Sequence, residues 1–517
     1  MSDIMRPMPF ATLLAWMTAE YKSSESIFGV KKSHFYVPGG TRVRTAFGDK
    51  LPAPVGPAAG PHTQLAQNIV ASYLAGARFI ELKTVQKMDG IEIREAVAKP
   101  CINAEDEAYN CEWSTELTVE EAFEEYVKAW FAIAFLKKEL ELAPDWDLAY
   151  NMSVGYDLVG IKMKKIDDFI EGLKDASGTD IFQTCRATLE ANLPDFTRFR
   201  KTDLDAVPTQ LCNAITLSTL HGTKPEEIRS IADYLILEKG LNTFVKCNPT
   251  LLGYAFARRT LDAMGYDYIA FDDYHFLHDL QYADAVTMFG ELIETARERG
   301  LVFGVKLTNT FPVKVENNEL PSEEMYMSGR ALLPLTISLA AKLAETTEGR
   351  MPISFSGGAD ANNLKAILAT GIGPVSVATT LLKPGGYLRF KQLAELAAEA
   401  ATDWNAIDVA AVNALAEKLL AAPVNQKRWR EKVKSRKTSS PLPLFDCFKA
   451  PCKSGGCPIE QQIPEYLKLV ADGRADDDRA ATASLLEAAG RLRDLDNPAH
   501  SGSVPTPRRA FRATPST

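Results

Sequence analysis

Residues Met351–Thr380 read MPISFSGGADANNLKAILATGIGPVSVATT. The apolar run Met351–Ser356 gives way to Gly357-Gly358, a helical pattern follows over Ala361–Leu368, and a second β-like run, Pro374–Thr380, ends in Ala378-Thr379. Strands joined through a helix are the signature of a parallel pair, since an antiparallel pair needs only a hairpin. Glycine and small residues directly after each strand suit a fold whose working groups sit on the C-terminal loops.

The same alternation extends outward over Leu51 to about Ala400. Further β-like runs lie at Ala77–Val85, Asp147–Val154, Asn213–Thr219, Asn242–Asn248, Tyr266–Phe271 and Leu301–Thr310. Helical patterns such as Leu65–Leu74, Pro225–Glu238, Ala283–Arg299 and Leu332–Ala344 lie between them. Strand–helix alternation at this length predicts an α/β fold, a (β/α)8 TIM-type barrel. With Pro52–Gly56 there is one candidate strand too many, and Tyr266–Phe271 is the first to discard. The alternative, a doubly wound sheet, lacks an early Gly-x-Gly-x-x-Gly.

A 46% hydrophobic content in 517 residues is ample for a large core, and a net charge of −9 argues against nucleic acid or an anionic membrane as partner. No long apolar run suggests a membrane span, and Phe10–Met17 reads as a first amphipathic helix. Cys101, Cys111, Cys185, Cys212 and Cys247 are scattered, as reduced thiols in a cytoplasmic protein are.

Cys447, Cys452 and Cys457 cluster ahead of a short amphipathic pattern, Ile459–Val470, with Pro458 after the last thiol. Such spacing lets thiolates converge on an iron–sulfur cluster. A 4Fe-4S cluster takes a fourth ligand that this run does not supply. The expected organisation is therefore an N-terminal helical extension (1–45), the barrel (46–400), and a helical segment with linker (401–445). The start of an α-helical ferredoxin-like domain (446–474) follows, then a disordered or aberrant tail (475–517) that reads as a truncation or frame slip. The basic stretch Gln426–Lys437 reads as a solvated helix end rather than a docking patch.

Ala58-Ala59-Gly60, Ser328-Gly329, Ser356-Gly357-Gly358 and Ala378-Thr379 offer backbone amides with little side-chain bulk, as a flavin and its phosphate require. Lys83, Lys246 and Lys306 lie inside largely apolar runs. Each is either an edge-strand lysine reaching solvent or an ammonium held for an anion. Asn110, Asn151 and Asn309, at strand or loop ends, suit amide-like edges or simply turns. Asp272, Asp273, His275, His278 and Asp279 read as a solvated polar loop rather than a metal site.

In order, Pro54–Gly60, Phe79–Val85, Asn151, Leu217–Gly222, Lys246-Cys247-Asn248-Pro249, Thr308-Asn309-Thr310, Ser328-Gly329, Ser356-Gly357-Gly358 and Ala378-Thr379 resemble the motifs of dihydroorotate dehydrogenases and of the flavin domain of dihydropyrimidine dehydrogenase. Over roughly residues 1–472 the chain is most similar to bacterial flavoprotein subunits that carry the label selenate reductase. It resembles them through Gly56–Val85, Leu217–Gly222, Gly240–Tyr254 and Glu323–Leu335.

The resemblance implies an oxidoreductase whose FMN barrel exchanges electrons with iron–sulfur clusters, for a small-molecule substrate and an electron-transfer partner. In that family FAD and NAD(P) belong to a C-terminal region. It implies that Ala59, Gly60, Ser328, Gly329, Gly357, Gly358 and Thr379 hold the cofactor, that Lys83, Lys246 and Asn151 face its ring, and that Asn110 and Asn309 meet substrate. Thr219 falls where those enzymes place a Cys or Ser proton acceptor, and Thr223 where the selenate reductase group has Cys. Gly358→Asp is expected to abolish flavin retention and spare the fold. The competing expectation is a non-catalytic barrel that docks an electron-transfer partner, or dihydropyrimidine dehydrogenase-like activity.

Overall fold

Val55–Pro57 (β1), Phe79–Glu81 (β2), Ala149–Gly155 (β3), Cys212–Ser218 (β4), Asn242–Cys247 (β5), Phe303–Leu307 (β6), Ile353–Phe355 (β7) and Val375–Val377 (β8) form one eight-stranded sheet. Its order is β1-β8-β7-β6-β5-β4-β3-β2, and every pairing is parallel. The computed structural model describes residues 5–39, 43–44, 50–104, 107–111, 114–218, 222–400 and 406–427. Nearly all belong to one compact unit, Met1–Ala421 with Asn425–Phe445; the other, Ala422–Val424 with Asp446–Thr517, is described only at 422–424.

The sheet curls into a nearly closed barrel. At the seam Arg78 N donates to Val55 O (3.0 Å). Gly56 makes that seam possible, because a Cβ there would land on the carbonyl oxygen of Phe79. The ninth candidate, Tyr266–Phe271, is not a strand; the Arg258 guanidinium holds it by donating to the carbonyls of Ile269 (2.7 Å) and Tyr266 (3.2 Å).

Side chains alternate faces along a strand, so residues two apart share the interior. Phe79, Ala149, Ala214 and Phe244 form, with Leu51, an apolar cluster of their own. Two residues further along the same strands stand Glu81, Asn151, Thr216 and Lys246. The barrel interior is therefore apolar toward the strand starts and polar toward their C-terminal ends. Gly304 on β6 leaves room for the Phe244 ring, and Lys306 follows it two residues on.

Helices including Ala66–Ala75, Val119–Glu139, Lys164–Lys174, Tyr282–Glu298 and Leu333–Thr346 bury apolar faces in the main core outside the sheet. Val119–Glu139 starts where its residues allow it: Thr118 Oγ1 accepts from Glu121 N (3.1 Å) and Glu121 Oε2 from Thr118 N (2.9 Å). Phe10–Ser24 contributes Phe10, Leu13, Leu14 and Met17 to the same core.

A four-stranded antiparallel sheet, absent from the sequence expectations, grows from the loops after β2 and β6. Ile102–Ala104 pairs with Glu107–Asn110, that strand with Glu324–Gly329, and the latter with Phe311–Lys314. It places Gly329 opposite Glu107, and Tyr326 opposite Asn110. No helix among the described residues is long and apolar enough to cross a membrane.

Candidate functional site

Three loops meet at the C-terminal mouth of the barrel. Gly329, Gly357 and Gly358 have φ of +80°, +147° and +82°, a region L side chains rarely enter. A Cβ on Gly358 would lie 2.6 Å from Gly329 O and 2.7 Å from Leu333 Cβ; one on Gly329 would lie 2.9 Å from Thr379 Cγ2; one on Gly357 would overlap Thr336 Oγ1. Ser328 Oγ and Thr379 Oγ1 are 2.8 Å apart. Arg330 Nη2 meets Asp360 Oδ2 (2.9 Å), and Asn363 Nδ2 donates to Gly358 O (3.0 Å). The structure thus brings Ser328, Gly329, Gly357, Gly358 and Thr379 into one cradle lined by backbone and hydroxyls. It also corrects the expectation for Gly358→Asp, because a side chain there must move two neighbouring segments.

The polar layer of the barrel adjoins this mouth. Lys306 and Glu81, 2% and 3% exposed, form an ion pair. Ser376 Oγ accepts from Lys306 Nζ (2.8 Å) and donates to Glu81 Oε2 (3.0 Å), which also accepts from Ala59 N (3.3 Å). None of these groups is an edge lysine's partner; Lys306 is inside. Lys246, in register with Lys306 on the adjacent strand, lines a small cleft with Thr223, Asn248 and Asp279. Burial lowers its ammonium to about 8; Glu81 opposes that shift, and Lys306 and Lys83 add to it. Lys83 is buried just beyond the end of β2.

Asn151 stands within β3, not at its end. It donates Nδ2 to Thr216 Oγ1 (2.7 Å) and to Met152 O (3.2 Å), while its buried Oδ1 has no hydrogen-bond partner. Gly60 is extended, and a Cβ on it would meet the His62 imidazole at 2.8 Å. Asn110 belongs to the antiparallel sheet and donates to Tyr326 O (3.3 Å). Asn309 shapes a turn, its Oδ1 accepting from Thr310 N (3.0 Å) while its own amide donates to Cys247 O (2.7 Å). Thr219, Cys447, Cys452 and Cys457 lie outside the described residues.

The polar loop after Tyr266–Phe271 is more built than its sequence suggests. Asp272 pairs with Lys314 (2.7 Å), His275 Nε2 with Glu324 Oε2 (2.6 Å), and His278 Nδ1 with Tyr274 O (2.7 Å). Asp279 is not solvated: only 5% exposed, it accepts from Gly222 N (2.8 Å), Asn248 Nδ2 (3.1 Å) and Thr250 Oγ1 (2.8 Å). These side chains go to separate partners, and no group of three or more metal-ligating residues is found among the described residues.

Sequence reading missed Glu81, Ser376 and His62. The first two carry one signal, a polar residue on an inward position of a buried strand, visible only once inward and outward faces are assigned. His62 is 6% exposed, and burial followed by the Lys83 charge holds its imidazole down near 4, with the Ala58 carbonyl opposing. Neither ring nitrogen makes a well-formed hydrogen bond.

Residues 28–427 match the family described as "Oxidoreductase YgfK, N-terminal TIM-barrel domain". "Putative oxidoreductase YgfK" of Escherichia coli (strain K12) and that of Escherichia coli O157:H7 are each 46% identical to this chain over 490 residues, which is 92% of this chain and 47% of theirs. The chain thus spans about half the length of the curated relatives it matches. Among solved structures, ligand-free DHODH from Eimeria tenella aligns with 75% of this chain and 92% of its own at 16% identity and a TM-score of 0.40. The same enzyme in complex with ferulenol aligns with 74% and 89% at 14% identity and a TM-score of 0.41.

Proposed function

The chain belongs to the YgfK oxidoreductase family through its N-terminal TIM-barrel domain, and from that membership and the geometry of the mouth we propose that the barrel holds FMN and exchanges electrons with iron–sulfur clusters. The observation that carries this reading is the cradle of Ser328, Gly329, Gly357, Gly358 and Thr379 beside the buried Lys306 and Lys83 and the half-buried Lys246. Glycines packed so tightly that no Cβ fits, with the Ser328 and Thr379 hydroxyls beside them, suit close backbone approach to a phosphate. A partnerless Asn151 Oδ1 and the cations of Lys83 and Lys246 fit a polar ring that gains negative charge on reduction.

Bound FMN would supply two-electron exchange with a small molecule and one-electron exchange with clusters. The chain's own residues divide the remaining work. Ser328, Thr379 and the glycine amides would hold the phosphate. Asn151 would accept a hydrogen bond from the ring, and Lys83 and Lys246 would hold charge against it. Lys246, whose ammonium burial lowers to about 8, can also keep or release a proton at Nζ. Asn110 and Asn309 serve the walls of the mouth, and any substrate contact from them is secondary to their structural bonds.

Cys447, Cys452 and Cys457 support the cluster part of the proposal by their spacing alone. Cys111, Cys185 and Cys247 are free thiols, which suits a reducing, cytoplasmic setting. Selenate as the physiological oxidant rests only on a family label, since no residue of the mouth beyond those assigned to the phosphate suits an oxyanion. A non-catalytic docking barrel is the second reading, favoured by threonine, a poor proton donor, at Thr223 beside Lys246.

The test is the visible spectrum of protein purified without added cofactor and again after anaerobic incubation with FMN. Flavin bands that survive gel filtration are expected. Their absence under both conditions overturns the flavin reading in favour of the docking barrel.

A further inference from the structure

The loop after β1 is bonded in place on either side of His62, while the His62 ring is not. Ala58 N donates to Val377 O (3.0 Å), two residues before Thr379 of the cradle, and Ala59 N donates to Glu81 Oε2 (3.3 Å) at the end of β2. Thr63 Oγ1 donates to Gly60 O (3.1 Å) and accepts from Gly60 N (3.3 Å). Gln64 Oε1 accepts from Thr115 Oγ1 (2.9 Å) and Glu116 N (2.8 Å). Between these anchors the imidazole, 6% exposed, folds back over Gly60, whose Cβ would lie 2.8 Å from its Cε1 and 3.2 Å from its Nε2. Glycine at this position makes room for the ring. Both ring nitrogens are buried with it and lack a well-formed hydrogen bond. The Ala58 carbonyl favours a proton on the nitrogen nearest it, and the other nitrogen then presents a lone pair that no donor among the described residues meets.

A buried acceptor without a donor costs stability, and an apolar side chain of similar size would serve packing better. Such a local loss is expected where a ligand uses the group. We propose that His62 is a cofactor-binding residue of the mouth, its free ring nitrogen accepting a hydrogen bond from an O–H or N–H of bound flavin. The assignment rests on the flavin reading and adds a residue to it. Burial, and then the charge of Lys83, hold the imidazole near 4, so the ring is neutral around pH 7 and keeps its lone pair. A protonated ring would be a donor at both nitrogens and could accept nothing. Folding has already taken water from this nitrogen, so a bond to a ligand is gained without that cost on the protein's side.

The experiment compares parent, His62→Leu and His62→Gln, each stripped of small molecules, by urea denaturation and by fluorescence titration with FMN. His62→Leu removes both nitrogens at similar size. Its urea midpoint should rise above the parent's, because the orphaned acceptor is gone, while its FMN affinity should fall roughly 10-fold. His62→Gln, which restores an acceptor, should recover most of that affinity. A merely structural imidazole gives the opposite pattern, a lower midpoint in His62→Leu with the parent's affinity. A midpoint no higher than the parent's, an affinity that does not fall, or a His62→Gln as weak as His62→Leu overturns the assignment. If His62→Leu does not fold, His62→Phe, closer in shape, takes its place in the same comparison. A parent that binds no FMN overturns the flavin reading and this assignment with it. A parent that binds FMN beside an unaffected His62→Leu overturns the assignment alone.

Discussion

Ser328 and Thr379 share a 2.8 Å hydroxyl–hydroxyl hydrogen bond that joins the end of the antiparallel sheet to the turn after β8. Ser328 Oγ also donates to Ala108 O (3.3 Å), which leaves Thr379 as the donor between the two hydroxyls. The bond holds Thr379 against Gly329, where a Cβ has no room. The cradle is therefore preorganised before any anion enters it.

Thr379→Val keeps the shape of that side chain and removes its hydroxyl. Its one proton goes to Ser328 in the free protein and must turn to the phosphate on binding, so flavin affinity should fall by roughly 3- to 10-fold, the worth of one exchanged hydrogen bond. Stability should change by about 1 kcal/mol or less, because Ser328 keeps its bond to Ala108. Fluorescence titration of stripped protein with FMN measures the first and urea denaturation the second. Equal affinity in variant and parent would remove Thr379 from the phosphate site.

Gly358→Asp tests packing as much as binding. At φ +82°, with Gly329 O and Leu333 against the missing Cβ, any side chain strains the backbone and pushes two segments apart. A loss of roughly 2–4 kcal/mol is expected. Urea denaturation of Gly358→Ala, which carries no charge, isolates this steric share. If Gly358→Ala is as stable as the parent, the loops are looser than the structure shows.

The barrel was legible because its strands are short apolar runs followed by glycine, and because Tyr266–Phe271 stood out as surplus. That Ser328, Gly329, Gly357, Gly358 and Thr379 are small residues at strand ends was legible for the same reason; that they meet was not. The Glu81–Lys306 pair was not: Lys306 stands out as a lysine in an apolar run, but its partner is far away in sequence and Glu81 alone reads as an ordinary charge. Only the period of two, fixed by the apolar set Phe79, Ala149, Ala214 and Phe244, shows that both point inward. Asp279 was misread because its neighbours are exposed, while its three donors come from other loops. The antiparallel sheet was missed because its strands are brief, three to six residues, and come from two loops far apart in sequence, so even the alternation in Glu324–Gly329 is too short to stand out.

Lys246 gives stability a predictable dependence on pH. Its pKa is held down near 8 in the folded protein, against an ordinary 10.5, so the unfolded chain binds that proton more tightly. Its charge costs stability below about pH 8, and stability rises as pH climbs from there toward the ordinary value, by up to about 3 kcal/mol. Lys246→Met should lose this rise, which urea denaturation at neutral pH and near pH 10 can follow. In protein that carries flavin, the same variant should lower the reduction potential by about 30 mV, or roughly 1.4 kcal/mol for two electrons. An unchanged potential would move the charge-holding role to Lys83.

Asp279 distinguishes a built loop from a solvated one. One carboxylate oxygen accepts from Gly222 N and the other from Asn248 Nδ2 and Thr250 Oγ1, so both must be acceptors. Asn in its place puts an NH2 group against one donor set or the other, whichever way the amide turns. Asp279→Asn should therefore cost roughly 2–4 kcal/mol, close to Asp279→Ala, although it is nearly isosteric. A solvated residue would stay within about 0.5 kcal/mol in both variants. Because Gly222 leads directly into Thr223, the same change should also loosen the wall of the cleft that Lys246 lines. Hydrogen exchange at the Gly222 amide reads this locally, and protection there that survives Asp279→Ala would show that something other than Asp279 holds the loop.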